Sequence, residues 1–343
     1  MVDKRQLLGM TLEELKGVAS EVGLPAYAAK QMADWIYKKK ITRISEMTNI
    51  AVAKRALLED SFEIGAYPPS EYQKSKDGTI KYLYAAGPGR FVESVYIPTD
   101  DRATLCVSSQ VGCKMNCLFC MTGKQGFTAN LTANQILNQI QSLPENDSLT
   151  NIVFMGMGEP LLNYEQVLRA IERITAQDGL AMSPYRITVS TAGIPEKIRQ
   201  LADDGVRFNL ALSLHAAKET TRTFLMPVNK AYPLSEIAGS LKYFVEKTGT
   251  RPTFEYLLLK DINDSLEDAK ALALYCRQFP IKINIIEYNN VEGSGFQHSP
   301  DKNRDAFIRF LEGCNMVVNV RRSKGKDIDA ACGQLAGKQE SNL

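Results

Sequence analysis

From Pro98 onward the chain alternates extended and helical stretches, and no other feature limits its fold as much. Strand candidates fall at 104 to 109, 151 to 157, 186 to 191, 208 to 215, 251 to 259, 283 to 289 and 316 to 323, with helical stretches between them. One helix is expected to open on Thr132, with Gln135 completing a capping box, and another on Ser299-Pro300. Consecutive βα units with right-handed crossovers build a parallel sheet, flat or curled into a full or partial barrel, and periodicity alone does not choose. Upstream, Leu7, Leu8, Leu12, Leu15 and Val18, then Met32, Trp35, Ile36, Ile41 and Ile44, recur at three- and four-residue steps, which predicts a small helical accessory domain over 1–70. Two short extended runs, Ile80 to Tyr84 and Phe91 to Ile97, flank Gly87-Pro88-Gly89 and predict a β-hairpin linker over 71–98. The barrel region is then 99–331, followed by a C-terminal tail, 332–343.

A chain of 343 residues, 44% hydrophobic, can bury a large core. Its charged start, Met1-Val2-Asp3-Lys4-Arg5-Gln6, has no apolar stretch behind it, and no run approaches the roughly 20 apolar residues of a membrane span, so a cytoplasmic location is expected. The 41 basic and 39 acidic residues leave a net charge of +2, which suits an RNA partner and a metabolic enzyme equally. Seven cysteines, three of them within eight residues, do not make a disulfide scaffold in a chain of this length. Free thiols, metal ligation or catalysis remain.

The three close cysteines are Cys113-Lys-Met-Asn-Cys117-Leu-Phe-Cys120, in the loop after the first strand of the βα region. This spacing offers three thiolates and no close fourth ligand, whereas structural zinc takes four. Cube-type iron–sulfur clusters are held by cysteines, and three of them leave one iron open to an outside ligand. The CxxxCxxC pattern resembles the signature of radical S-adenosylmethionine enzymes. That resemblance implies an α/β fold with a partial (β/α)6 barrel, one [4Fe-4S] cluster whose open iron is chelated by S-adenosyl-L-methionine, and cleavage of the sulfonium to a 5′-deoxyadenosyl radical.

Four longer segments narrow the match: Arg102-Ala103-Thr104-Leu105-Cys106-Val107-Ser108-Ser109-Gln110-Val111-Gly112-Cys113, Phe154-Met155-Gly156-Met157-Gly158-Glu159-Pro160-Leu161-Leu162-Asn163, Leu225-Met226-Pro227-Val228-Asn229 and Asp327-Ile328-Asp329-Ala330-Ala331-Cys332-Gly333-Gln334-Leu335. In this order they resemble the dual-specificity adenine-C2 methyltransferases of 23S rRNA and tRNA, the RlmN family. A sister family methylates adenine C8; Val95-Tyr96-Ile97-Pro98 and Pro160 look more like the C2 group. One departure is Glu287-Tyr288-Asn289-Asn290, which lacks prolines that relatives carry around the asparagine. The resemblance implies methylation of adenosine 2503 of 23S rRNA, in the peptidyl-transferase centre, and adenosine 37 of tRNA. It also implies two cofactor molecules per turnover and a low-potential electron donor such as flavodoxin or ferredoxin. A monomer is expected. The readings from other classes are a non-catalytic iron–sulfur electron carrier, which would need a fourth ligand, and an RNA-binding module.

Ligands of parallel barrels sit at the C-terminal strand ends. Gly158-Glu159 ends the second strand, where glycine permits close backbone approach and the carboxylate can hold an ammonium; a buried helix cap is the alternative. Ser190 lies opposite Ile187 and Val189, and Ser213 and His215 lie opposite Leu210, Leu212 and Leu214, so strand alternation points these polar groups one way. A histidine there can equally be a satisfied core group. The resemblance assigns Ser190, Ser213, Leu214, His215 and Asn289 to cofactor binding. His298 reads as a loop residue, and Cys276 and Cys314 as small buried hydrophobes.

Adenine C2 lies between two ring nitrogens and is too electron-poor to attack a sulfonium methyl, while a thiolate attacks one readily. The family's solution implies Cys332 as an S-methylcysteine intermediate whose methylene radical adds to C2. It implies Cys106 as the resolving thiol, which forms a transient disulfide with Cys332, and Glu93 as acceptor of the C2 proton. The alternative for Glu93 is a solvated hairpin carboxylate. Phosphate contacts could come from Lys38-Lys39-Lys40 with Arg43, or from Arg321-Arg322-Ser323-Lys324-Gly325-Lys326 beside Cys332.

Overall fold

The computed structural model describes residues 4–291 and 293–337, so the first three residues of the charged start and 338–343 of the expected tail lie outside the described residues. The N-terminal unit contains α1 (Leu12–Glu21), α2 (Ala28–Ala33) and α3 (Val52–Ser61), and its ends are tied by parallel pairing of β1 (Arg5–Gln6) with β2 (Phe62–Glu63). A capping box starts α1: Thr11 Oγ1 accepts from Glu14 N and Glu14 Oε2 accepts from Thr11 N. Leu15, Val18, Met32, Ile36 and Leu58 are buried between these helices, each worth about 1.5–3 kcal/mol relative to exposure.

The chain then enters a ten-stranded sheet. Its first strands, β3 (Glu71–Lys74), β4 (Ile80–Ala85) and β5 (Phe91–Pro98), are antiparallel, and β5 pairs antiparallel with β6 (Ala103–Cys106). A side ribbon of β7 (Gln110–Gly112) and β8 (Phe127–Asn130) brackets the cysteine loop and α4 (Met121–Lys124). After it come α5 (Ala133–Gln141), β9 (Asn151–Phe154), α6 (Tyr164–Thr175), β10 (Ile187–Thr191), α7 (Pro195–Asp203), β11 (Asn209–Ser213), α8 (Glu219–Leu225) and α9 (Leu234–Thr248). The order continues with β12 (Thr253–Leu258), α10 (Leu266–Cys276), β13 (Lys282–Glu287), α11 (Asp301–Gly313) and β14 (Val318–Arg321).

Spatially the strands run β14-β13-β12-β11-β10-β9-β6-β5-β4-β3. From β6 to β14 every pairing is parallel, which makes six βα units and a closing strand. The edges β14 and β3 do not pair with each other, so the barrel is partial. Every strand candidate of the βα region is found.

Two expectations change. The hairpin is not a linker but the antiparallel continuation of the barrel sheet, which places Glu93 on an interior strand. Thr132 and Gln135 form the expected box on α5, whereas α11 begins at Asp301 with Pro300 before it, and Ser299 Oγ instead donates to Asp264 Oδ2 at 2.6 Å. His298 forms an isolated bridge with Leu259. Cys276 is buried as expected, and Cys314 is only half-buried. Among the described residues, no helix is long and apolar enough to cross a membrane.

The N-terminal unit is anchored on α5. Asn134 Nδ2 donates to the carbonyls of Leu8 and Gly65, both at 3.1 Å, and Gln141 Nε2 to that of Ile36 at 2.7 Å.

Candidate cluster and thiol site

Three cysteines converge because a glycine turns the chain into their loop. Gly112 has φ +72, and a Cβ there would meet the Gly126 carbonyl oxygen at 1.8 Å, so only glycine lets β7 lead into Cys113 beside β8. The loop is then hung on α8, with Leu118 N donating to Leu225 O at 3.0 Å. Cys113, Cys117 and Cys120 line one cleft of about 890 Å³ together with Gly158, Glu159, Ser190, Ser213, His215 and Cys332. The strand-end residues read from the alternation thus meet the cysteine loop.

All three thiols are free. Burial pushes Cys113 up to about 12 and Cys117 and Cys120 above their ordinary value, and each is raised further by charge on a neighbouring cysteine. Metal binding would supply the drive to deprotonate them. Among the described residues, no three His, Cys, Asp or Glu side chains are placed to hold a single metal ion. Three thiols spread around one cleft, with no protein group completing a tetrahedron, fit a multi-iron cluster in which each thiolate takes its own iron.

Glu159 is a helix cap, the alternative read for it, and keeps capacity beyond that role. It is buried, Oε1 accepts from Leu161 N at 3.1 Å as a helix cap, and Oε2 accepts from Ala192 N at 2.7 Å. A carboxylate accepts about four hydrogen bonds, so lone pairs remain for an ammonium in the cleft. Burial pushes its carboxyl up to about 7. Ser190 and Ser213 hydroxyls meet at 3.2 Å. His215 sits at φ +56, in the left-handed region, and its Nδ1 accepts from Leu257 N at 3.1 Å. Burial pushes its imidazole down to about 3, so the ring is neutral with its proton on Nε2, against the Phe119 edge at 4.7 Å.

Leu214 and Asn289 are not on the cleft wall. Leu214 is fully buried, its N–H donates to Glu255 O at 3.0 Å, and its carbonyl accepts from Arg222 Nε at 3.2 Å. Asn289 Nδ2 donates to Glu287 O at 3.3 Å, while its buried Oδ1 has no protein partner. An orphaned acceptor beyond β13 suits a cofactor donor. The surrounding loop holds its shape without prolines, because the Tyr288 hydroxyl pairs with Ser294 Oγ and accepts from Val291 N.

Cys332 is shared between this cleft and a second of about 880 Å³, which Cys106, Cys120, Arg321, Arg322, Ser323 and Lys324 also line. Burial pushes Cys106 up to about 12, helped by Cys332 and opposed by the Arg321 guanidinium. Cys332 is an exposed residue, yet burial of its thiol raises it as well, again against Arg321. Both thiols are free. The two basic groups differ in kind. Lys38 pairs with Asp34 at 2.7 Å, Lys39 stacks over Trp35 at 3.5 Å, Lys40 pairs with Asp147 at 2.5 Å and Arg43 pairs with Glu46 at 3.8 Å, so the first group is internally engaged. The second also carries ion pairs, Arg321 with Glu255 and Lys326 with Glu287, both at 3.4 Å, but its Arg321, Arg322, Ser323 and Lys324 line the thiol cavity.

The tail after Cys332 is docked on α4 and β5. Met121 N donates to Gly333 O at 2.7 Å, Thr122 Oγ1 to Leu335 O at 2.7 Å, and Ala336 N and Gly337 N to Glu93 Oε2 at 2.7 and 3.1 Å. Lys81 Nζ lies 3.4 Å from Glu93 Oε1. Glu93 is 4% exposed, so the solvated reading does not hold; its carboxylate latches the tail on the rim of a polar cleft that also includes Tyr72 and Lys81. Hydrogen bonds to a charged group are worth about 1.5–3 kcal/mol. Glu93→Ala is therefore expected to speed hydrogen exchange at the Ala336 and Gly337 amides by roughly tenfold or more, read by mass spectrometry; unchanged exchange there would count against the latch.

Residues without an assigned role complete the site. Gln110 Oε1 accepts from Glu159 N at 2.8 Å and its Nε2 donates to Asn130, which fixes the Gly158-Glu159 turn. Glu255 lines the cofactor cleft and lies 3.4 Å from Arg321. Its signal was available: a carboxylate between Phe254 and Tyr256 in an apolar strand.

The radical SAM superfamily model matches residues 107–273, and the model described as "Ribosomal RNA large subunit methyltransferase N-terminal domain" matches residues 5–64. A "Probable dual-specificity RNA methyltransferase RlmN" of Parabacteroides distasonis is 66% identical over 98% of each chain, and one of Bacteroides thetaiotaomicron is 48% identical over 100% of this chain and 99% of its own. The crystal structure of a radical SAM methyltransferase from Sphaerobacter thermophilus superposes with TM-score 0.94 at 36% identity, covering 97% of this chain and 100% of that one.

Proposed function

The chain belongs to the RlmN family of dual-specificity RNA methyltransferases, within the radical SAM superfamily, and from that premise we propose that it methylates adenine C2 in 23S rRNA and tRNA through Cys332. The observation that carries this reading is the placement of Cys332 on the wall shared by the cluster cleft and the cavity of Cys106. When bound, the cluster and S-adenosyl-L-methionine supply the methyl group and, from a second cofactor molecule, a 5′-deoxyadenosyl radical.

The protein's own residues do the rest. Cys113, Cys117 and Cys120 hold the cluster. Glu159, Ser190, Ser213 and His215 orient the cofactor, with Gly158 allowing backbone approach and Leu214 and Asn289 supporting from behind the wall. Cys332 accepts the methyl, loses one hydrogen from it and bonds to C2. Glu93 takes the C2 proton when the tail releases it, and the Cys106 thiolate then attacks the Cys332 sulfur, breaking its bond to the methylene carbon; that carbon takes up one proton to become the methyl, the adduct's unpaired electron leaves to the oxidised cluster, and a disulfide remains. Arg321, Arg322 and Lys324 meet phosphates beside the thiol cavity. A monomer working in the cytoplasm with a flavodoxin or ferredoxin as reductant suits this chemistry.

Isotope labelling tests the route. With cofactor whose methyl is fully deuterated, the new RNA methyl is expected to carry two deuterons and 5′-deoxyadenosine to gain one. Three deuterons in the RNA product would mean direct transfer and remove Cys332 from the path. Nucleoside mass spectrometry on both RNAs reads the result and separates C2 from C8 methylation.

A further inference from the structure

Behind the wall that carries Ser213 and His215 lies a positive charge that the chemistry above does not use. Arg222 on α8 is fully buried. Its Nε donates to Leu214 O at 3.2 Å, Nη1 to Asn229 Oδ1 at 2.6 Å, and Nη2 to Ala192 O at 2.6 Å and Ser213 O at 3.4 Å. Every one of these acceptors is neutral. The Glu219 carboxylate is reached only through Asn229, whose Nδ2 donates to Glu219 Oε2 at 2.6 Å, while Glu219 Oε1 is held by Leu234 N at 2.8 Å. Burial lowers the guanidinium from its ordinary value to about 10, which leaves it charged at neutral pH.

A buried charge without a directly bonded counter-ion costs several kcal/mol, and a fold tolerates one where an anion offsets it. The surroundings identify that anion. Ala192 and Ser213, whose carbonyls accept from the guanidinium, line the cleft of the three cysteines together with His215. The loop between Cys117 and Cys120 hangs on the last residue of α8, the helix that carries Arg222, with Leu118 N donating to Leu225 O at 3.0 Å. Three thiolates on a four-iron cube form an anion, and one-electron reduction adds a further negative charge.

We propose that Arg222 is the counter-cation of the cluster, a positioning residue that favours the reduced state and so raises the cluster's reduction potential. The proposal rests on the cluster reading above. It also explains the segment Leu225-Met226-Pro227-Val228-Asn229: Pro227 opens a tight turn that brings Asn229 back to grip the guanidinium and to keep Glu219 one amide away. Moved closer, that carboxylate would cancel the charge.

The test is an anaerobic redox titration of the reconstituted full chain, followed by the electron paramagnetic resonance of the reduced cluster, without cofactor or RNA. Arg222→Gln should lower the midpoint so that the ratio of reduced to oxidised cluster at a fixed potential falls at least about tenfold, or 59 mV for a one-electron couple. Arg222→Lys should stay close to the parent chain. The charge-conserving pair Glu219→Gln with Asn229→Asp keeps the arginine but places a carboxylate directly on it, and should shift the midpoint the same way as Arg222→Gln. An iron-replete Arg222→Gln chain with an unchanged midpoint overturns the proposal. If Arg222→Gln loses its iron, an unchanged midpoint in the paired variant overturns it instead. A parent chain that binds no cluster defeats the underlying reading, which is a different result from a bound cluster whose potential ignores Arg222.

Discussion

Changing any one of Cys113, Cys117 and Cys120 to Ala is expected to abolish iron retention after anaerobic reconstitution and to remove all 5′-deoxyadenosine production. The loss should be complete rather than graded, because in the proposed cluster each thiolate binds its own iron. Cys332 also lines the cleft, but it sits on the wall shared with the second cavity and is the proposed methyl acceptor; His215 has its Nδ1 committed to Leu257 N and its ring against Phe119. Folding should survive. The Cys113 loop is shaped by Gly112, the Cys117 loop by the bond from Leu118 to Leu225, and the Cys120 end by the turn of α4, none of which uses a thiol. Cys276→Ala is the matching control: that buried thiol lies on α10 and should cost about 1 kcal/mol of stability while leaving iron content unchanged. Iron and sulfide analysis with a thermal melt separates the outcomes, and cofactor cleavage by a chain lacking one of the three cysteines would sink the cluster assignment.

The parts of the molecule legible in the sequence are those whose signal is local. A three-cysteine spacing lies within one loop, and the alternation of Ile187, Val189 and Ser190, or of Leu212 and Ser213, needs only the pleat of a strand. The capping box at Thr132 is likewise a four-residue pattern. Sheet membership is not local: Phe91–Pro98 reads as half a hairpin, and only the register Val95 to Cys106 reveals that it joins the barrel. Glu93 follows the same logic, since what buries it is a tail more than two hundred residues away. Arg222 was invisible for a different reason, because backbone carbonyls of Ala192, Ser213 and Leu214 have no sequence signature. Ser299-Pro300 does mark the start of α11, one residue later than a serine cap would place it, because the Ser299 hydroxyl is taken by Asp264.

Loss of Cys106 and loss of Cys332 are expected to stop the reaction at different points. A Cys332→Ala chain lacks the methyl acceptor, so neither methylated RNA nor a protein–RNA bond should form, and nothing should accumulate. In a Cys106→Ala chain the acceptor, the cluster ligands and the cofactor-facing groups are untouched, since Cys106 lines the second cavity and not the cofactor cleft. Methyl loading, hydrogen removal and addition to C2 can then proceed, because none of them needs the second thiol. What fails is release: breaking the thioether requires a sulfur nucleophile that reaches the Cys332 sulfur, and disulfide formation demands an approach of Cα atoms to about 7 Å. Cys120 also lines the second cavity, but in its proposed role as a cluster ligand it is held by iron and is not free to attack. The chain should therefore stall as an adduct through Cys332 in up to one equivalent, seen as a mass shift that ribonuclease trims to a nucleotide but does not remove. Cys106 is held up to about 12 by burial, so its thiolate must be formed at the moment of attack, with the Arg321 guanidinium favouring the charged form. Multiple turnovers by the Cys106→Ala enzyme, without adduct, would show that another group cleaves the bond and that the second cavity serves only to seat the base.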